Sequence, residues 1–286
     1  MNFLDGKELA VIGDPIEHSL SPVIQQAMLD ELGVCCTYGR ILVRAGETAQ
    51  WLQKAEQGKL AGFNATMPHK SDLVPLMDTL SEDARMYSSV NTVVLHDGKR
   101  HGFNTDGEGF LRSLLDEGMD PAEKTIAVLG AGGAARSVVL KLASCRAAKI
   151  TVLCRTPAKA NGLVHASTAI HVAGMNRTDM EKTLAQADLL VNCTPLGMDG
   201  VSARFDGFSF LDALPASAFV CDVIYRPLKT RLLAEAEQRG HHVMNGLGML
   251  IHQAILSIEH FSGQKLDTVT MKNAIQKRLM PVLQEK

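Results

Sequence analysis

The sequence predicts an α/β protein made of two α/β domains flanking a cleft. Two observations predict it. Short apolar runs of strand length alternate with helical stretches, and this alternation starts afresh near Lys124. The 286 residues suffice for two domains of ordinary size. Hydrophobic residues at 46% and charged residues at 21% give the balance of a chain that buries a core.

The first strand candidates are Leu9-Ala10-Val11-Ile12, the run 37–43 and Gly62-Phe63-Asn64-Ala65-Thr66, with helices over 22–32 and 48–56 between them. Strands separated by helices of this length form βαβ units and a mostly parallel sheet. Ser21-Pro22 reads as an N-cap followed by proline at the first helical position. Lys70 reads as a lysine at a helix start, where a cation meets the positive end of the dipole. Asn104-Thr105-Asp106-Gly107 has the composition of a turn, and a domain boundary is expected within 104–124.

The second pattern opens on Thr125-Ile126-Ala127-Val128-Leu129, a continuous apolar run suited to a buried parallel strand. A glycine-rich turn follows, then a helix to Ala143 and a strand at Lys149-Ile150-Thr151-Val152-Leu153. Leu189-Leu190-Val191 and Ala218-Phe219-Val220-Cys221 are further strands. Leu247, Leu250, Ile251, Ala254, Ile255, Ile258 and Phe261 recur at the spacing of one helix face, and a second helix is expected over 267–283. Chain ends often lie close together, so these helices are assigned to the first domain. The expected division is 1–104 plus 241–286, and 105–240.

Several function classes are disfavoured. Lys and Arg number 29 against 31 Asp and Glu, a net charge of −2, which supports neither nucleic-acid nor membrane-surface binding. No apolar run reaches spanning length, and the first residues lack the basic and apolar regions of a signal peptide. The six cysteines form no C-x-x-C pair, so no metal site is expected. Structural thiols in a reducing cytoplasm are the expectation.

Gly130-Ala131-Gly132-Gly133-Ala134-Ala135 contains Gly-x-Gly-x-x-Ala between a strand and a helix. The first glycine permits a tight turn, the second lets backbone approach a pyrophosphate, and the small third residue permits close helix–strand packing. Free N–H groups and the dipole at the helix start favour the phosphate. This is the signature of a Rossmann-like, doubly wound dinucleotide-binding domain. A domain for NAD carries an acid about twenty residues further on, for the ribose 2′-hydroxyl. No Asp or Glu occurs between Glu123 and Asp179, and the next strand ends in Cys154-Arg155-Thr156-Pro157-Ala158-Lys159. Arg155 and Lys159 can pair with a 2′-phosphate that an acid would repel, so the expected cofactor is NADP.

Further polar segments are Ser19-Leu20-Ser21-Pro22, Asn64-Ala65-Thr66-Met67-Pro68-His69-Lys70, Val90-Asn91-Thr92 and Asn192-Cys193-Thr194-Pro195-Leu196-Gly197-Met198. Asp222-Val223-Ile224-Tyr225-Arg226-Pro227 and Asn245-Gly246-Leu247-Gly248 follow. In order and spacing they resemble the shikimate dehydrogenase family over nearly the whole chain. The resemblance implies a dehydrogenase passing a hydride between NADP and a ring hydroxyl of shikimate or 3-dehydroshikimate, in aromatic amino acid biosynthesis. It implies that Lys70 and Asp106 are the catalytic pair and that Ser19 and Ser21 hold the substrate carboxylate. It further implies that Asn64, Thr66, Asn91 and Gln253 bind the carboxylate and ring hydroxyls, with Tyr225 reaching in from the opposite side. Gly130, Ala131, Gly132, Gly133, Ala134, Arg155, Thr156, Lys159, Thr194 and Gly246 would line the cofactor. A positioned lysine can move the alcohol proton or, if protonated, stabilise developing alkoxide charge, and a nearby aspartate favours its charged form. The residues leave that choice open.

The chain departs from the family at Cys154, where Asn is frequent, at Ala65, where Val is common, and at Ser88-Ser89, where Gly-Ala is usual. Quinate or aminoshikimate dehydrogenase on the same scaffold, and a metabolite sensor without turnover, are the alternatives. The absence of an acid at the cofactor strand end argues against quinate with NAD. A sensor needs neither Lys70 nor Asp106. The sequence is compatible with a monomer or a homodimer.

Overall fold

The computed structural model describes residues 3–284, except for the side chains of Lys159, Asn161 and Gln284. The chain forms two compact units, 1–105 with 251–286 and 106–250.

The first unit contains β1 (Glu8–Gly13), α1 (Ser21–Glu31), β2 (Thr37–Leu42), α2 (Thr48–Ala55), β3 (Leu60–Ala65), β4 (Thr79–Leu80), α3 (Glu82–Tyr87), β5 (Thr92–His96) and β6 (Lys99–Phe103). Its sheet runs β2-β1-β3-β5-β6-β4. The first three strands are parallel, as the βαβ pattern predicts. β5 is antiparallel to β3 and β6, so the sheet is mixed. Asp97 and Gly98, both at positive φ, close the β5–β6 hairpin as a two-residue turn whose twist suits the strands. Ile12, Phe63, Leu73, Ala84, Val90 and Val93 form a core against the sheet.

The second unit starts at α4 (Asp106–Asp116) and continues through β7 (Thr125–Leu129), α5 (Gly133–Ser144), β8 (Lys149–Cys154), α6 (Asn161–Val164), β9 (Ile170–Gly174), α7 (Arg177–Leu184), β10 (Leu189–Asn192), β11 (Phe219–Asp222), α8 (Arg231–Gln238) and β12 (His242–Met244). Its sheet runs β12-β11-β10-β7-β8-β9, parallel throughout. That is the strand order of a doubly wound dinucleotide-binding sheet, with its reversal between β7 and β10. The strands are buried on both faces, which explains their unbroken apolar runs. β12 pairs with β11, so residues 241–250 lie with this unit.

α9 (Leu247–Ser262) begins in the second unit and ends in the first, and α10 (Thr268–Gln284) completes the first. The apolar stripe read from sequence understates the burial of α9. His252, Ser257 and Glu259 are buried beside Ile251, Ala254, Ile255 and Ile258. A helix buried nearly all round belongs inside a core.

Three local readings are corrected. α1 is capped by the backbone of Leu20, and Ser21 is its first helical residue, so its hydroxyl is not an N-cap. Asp106 begins α4 rather than ending a turn, which places its carboxylate at the favourable positive end of that helix. Lys70 lies in hydrogen-bonded turns followed by a single 3-10 turn, Val74–Leu76, so no α-helix dipole acts on it.

Candidate active site

In the first unit, the carboxyl ends of β1 and β3 and the start of β5 gather polar side chains. Tyr38 donates its hydroxyl to Asn64 Oδ1 at 2.7 Å, and Gln25 Nε2 donates to the same oxygen at 3.3 Å. Asn64 Nδ2 lies 2.9 Å from Thr92 Oγ1, 3.0 Å from Ser257 Oγ and 3.1 Å from the Asn91 carbonyl. Asn91 Nδ2 donates to Thr105 Oγ1 at 2.9 Å, and Asn91 Oδ1 accepts from the Thr105 N–H at 2.9 Å. Ser257 donates to the Gln253 carbonyl at 2.9 Å. Asn64, Asn91, Thr92, Thr105 and Ser257 are all buried, so this is a satisfied network in low dielectric, which fixes side-chain orientation. Burial holds the Tyr38 phenol well above its ordinary pKa, so it remains a donor. Gln25 Oε1 is buried with no partner among the described residues.

The Thr66–Lys70 segment is anchored beside this network. Thr66 N–H donates to the Ile12 carbonyl at 2.9 Å, and Asp14 N–H donates to the Met67 carbonyl at 3.1 Å. A Cβ at Gly13 would sit 2.5 Å from Thr66 Cγ2 and 2.9 Å from Ile16 Cδ1, so a larger residue there would displace the Thr66 side chain. Val90 N–H donates to the Lys70 carbonyl at 2.8 Å, tying the lysine backbone to the residue before Asn91. The buried His69 ring spans Thr48 Oγ1 and the Val43 carbonyl, each at 2.8 Å. A carbonyl only accepts, so Nε2 carries the hydrogen and Nδ1 accepts from Thr48. Ser21 N–H donates to Ser19 Oγ at 3.3 Å, and the Ser19 carbonyl accepts from Arg40.

In the second unit, Gly130 follows β7 and Thr194 follows β10, on either side of the strand-order reversal. Gly130 takes φ +103°, and a Cβ there would lie 3.0 Å from Thr194 Cγ2 and 3.1 Å from the Cys193 carbonyl. At Gly132 and Gly133 a Cβ would meet nothing within 4 Å. Gly132 caps α5 without a side-chain bond, and the first turn holds no acid. Open space, unused helix-terminal N–H groups and the absence of negative charge fit a pyrophosphate. Arg155 and Thr156 are exposed just past β8, while the Lys159 side chain lies outside the described residues. Ala131 and Ala134 flank the glycines at partly exposed positions.

Buried hydrogen bonds hold this wall in place. Thr194 donates to Asn192 Oδ1 through Oγ1 at 2.6 Å and N–H at 3.0 Å. Asp222 accepts from Asn192 Nδ2 at 3.1 Å, Ile224 N–H at 3.0 Å and Thr230 Oγ1 at 2.8 Å. Tyr225, two residues on from Val223, is half-buried, and burial raises its phenol pKa against the opposing charge of Arg226. At Gly246 a Cβ would lie 2.0 Å from the Val223 carbonyl oxygen, so close backbone approach accounts for that glycine. Of the expected catalytic pair, Lys70 belongs to the first unit and Asp106 to the second.

Sequence reasoning missed Tyr38, Gln25, Thr105, Ser257, Arg40, His69 and Asp222. His69, Thr105 and Asp222 stood inside segments already singled out. Ser257 was legible as a polar residue within an apolar helix, whereas Tyr38 and Arg40 gave no signal beyond two-residue alternation.

The sheet order and the glycine turn at its reversal define a dinucleotide-binding α/β protein. Sequence profiles sharpen this. The shikimate dehydrogenase substrate binding domain matches residues 11–93, shikimate / quinate 5-dehydrogenase matches 114–196, and the shikimate 5′-dehydrogenase C-terminal domain matches 246–276. The chain belongs to the shikimate dehydrogenase family. It is 37% identical to the NADP(+) shikimate dehydrogenase of Alkaliphilus metalliredigens over 273 residues, 93% of this chain and 95% of that protein. Shikimate 5-dehydrogenase of Thermus thermophilus, solved with NADP(H) and shikimate, superposes with TM-score 0.84 at 32% identity, covering 96% of this chain and 100% of that one. Quinate dehydrogenase of Corynebacterium glutamicum, solved with NAD, superposes with TM-score 0.85 at 29% identity, covering 96% and 99%. No helix among the described residues is long and apolar enough to cross a membrane.

Proposed function

We propose that this protein catalyses the reversible NADPH-dependent reduction of 3-dehydroshikimate to shikimate. The observation that carries the reading is the dinucleotide turn itself. It opens at the strand-order reversal, and no acid follows in sequence until Asp179. The Asp179 carboxylate is engaged by Asn176 Nδ2 at 2.7 Å and Gly174 N–H at 3.1 Å. The first acid after the turn is thus engaged, and Arg155 and Lys159 are the cations that follow β8 in sequence, the charge a 2′-phosphate requires. NADP(H), when bound, supplies or accepts the hydride.

The chain's own residues do the remaining work. Ser19 and Ser21 hold the substrate carboxylate, Asn64, Thr66, Asn91 and Gln253 surround the ring hydroxyls, and Tyr225 is a further substrate contact. Lys70 either moves the proton of the reacting oxygen or stabilises its developing charge, and Asp106 orients the lysine. Gly130 to Ala134, Thr194 and Gly246 line the cofactor. Six free thiols support a reducing cytoplasmic setting.

The test is nicotinamide absorbance during oxidation of shikimate and, separately, quinate, each with NADP and with NAD. Fast turnover with shikimate and NADP alone is expected. Preference for quinate or NAD would move the protein to the sister activity. Silence in all four reactions would sink the enzymatic reading.

A further inference from the structure

Side chains two apart on a strand share a face. Tyr38 and Arg40 are such a pair on β2, the edge strand of the first sheet. Tyr38 reaches Asn64, so Arg40 lies on the face that carries the polar network. The strand register agrees. Arg40 stands opposite Val11, Val11 opposite Asn64, and Asn64 opposite Thr92, which makes one transverse row. The Arg40 guanidinium donates to the Ser19 carbonyl through Nε at 3.1 Å and Nη2 at 2.6 Å. No carboxylate pairs with Arg40 among the described residues. A neutral carbonyl leaves the guanidinium charge uncompensated, and that charge is permanent.

We infer that Arg40 is a further recognition residue for the substrate carboxylate, holding Ser19 in place and setting a fixed positive charge beside the Ser19 and Ser21 hydroxyls. The inference rests on the function proposed above. Two strand spacings separate the Arg40 and Asn64 columns, roughly 10 Å. A six-membered ring with a carboxylate at one end and hydroxyls at the other spans that distance, with a hydrogen bond of about 2.8 Å at each end. The serines supply donors without charge. Arg40 supplies the charge, and with it discrimination between an acid and a neutral ring alcohol.

The experiment compares wild type with Arg40→Met and Arg40→Lys, using shikimate and its methyl ester as substrates with NADP, and adds calorimetric binding of shikimate alone. Loss of a charge-assisted contact is worth about tenfold in affinity. For Arg40→Met we expect about a tenfold higher KM and Kd for shikimate, kcat within about twofold, a distinctly smaller rise in KM for the ester, which loses the positioning of Ser19 but no charge pairing, and an unchanged KM for NADP. Arg40→Lys keeps the charge but loses the fork, so it falls between; it also carries the test if Arg40→Met does not fold. An unchanged shikimate KM in both variants overturns the inference, and so does an equal loss for acid and ester. If wild type neither binds nor oxidises shikimate, the proposed function itself fails. An active wild type indifferent to Arg40 removes only this inference.

Discussion

Asp222 is a buried carboxylate with three donors, yet burial outweighs the pull of Ile224 N–H, Thr230 and Asn192 and pushes it up to about 6 from its ordinary 3.8. The native state then holds a proton that the unfolded state has released between those values. The stabilisation is complete below about pH 4 and is lost as pH rises through about 6, on the order of 3 kcal/mol. Denaturant titrations from pH 4 to 7 should show this slope in wild type and its absence in Asp222→Asn; identical slopes would contradict it. Ser88 is another residue under strain. It ends α3 in the left-handed region at φ +50°, where the family usually has glycine. Ser88→Gly should therefore stabilise the protein by about 1 kcal/mol, read as a higher Tm. For the chemistry, Lys70→Ala should lower kcat by orders of magnitude while NADP binding, followed by fluorescence, persists. Replacing Arg155 and Lys159 together by alanine should weaken NADP much more than NAD, and equal losses would remove the 2′-phosphate argument.

At the scale of elements, loops are held by buried groups reaching across from neighbouring strands and helices. His69 fastens the Lys70 turn to Val43 and to the first residue of α2, Thr48. His69→Phe would strand the Thr48 hydroxyl and the Val43 carbonyl without partners. The expected result is a lower kcat with little change in the NADP KM, because the second unit is untouched. Gly246 plays the corresponding part between β12 and α9. A Cβ there would meet backbone, which cannot swing aside as a side chain can, so Gly246→Ala should cost about 3 kcal/mol or more and lower Tm sharply. The β5–β6 hairpin carries its own local signal, Asp97-Gly98, and this two-residue turn accounts for the antiparallel pairing of β5 with β6.

For the molecule as a whole, the division into two units makes ligand effects separable. A ligand that binds only the native form stabilises it by about 2.7 kcal/mol at a hundred times its Kd. NADP should slow amide hydrogen exchange chiefly around Gly130–Arg136 and Thr194–Met198, and shikimate chiefly around Ser19–Ser21 and Asn64–Lys70. Exchange slowed by NADP only in the first unit would contradict the assignment of the glycine turn.

The sequence by itself determined the α/β class, the dinucleotide turn, the absence of acid before Asp179 and the family, because each is a local pattern. Strand length, apolar continuity and glycine spacing are written in neighbouring residues, and backbone stereochemistry reads them directly. Only the tertiary structure decided that β12 joins the second sheet, that α9 is buried nearly all round, and that Tyr38, Asn64, Thr92 and Ser257 form one network. A three-residue strand buries too little to leave a periodic signal. Ser257 and Asn64 stand 193 residues apart, and their hydrogen bond exists only because the last helices return to the first sheet.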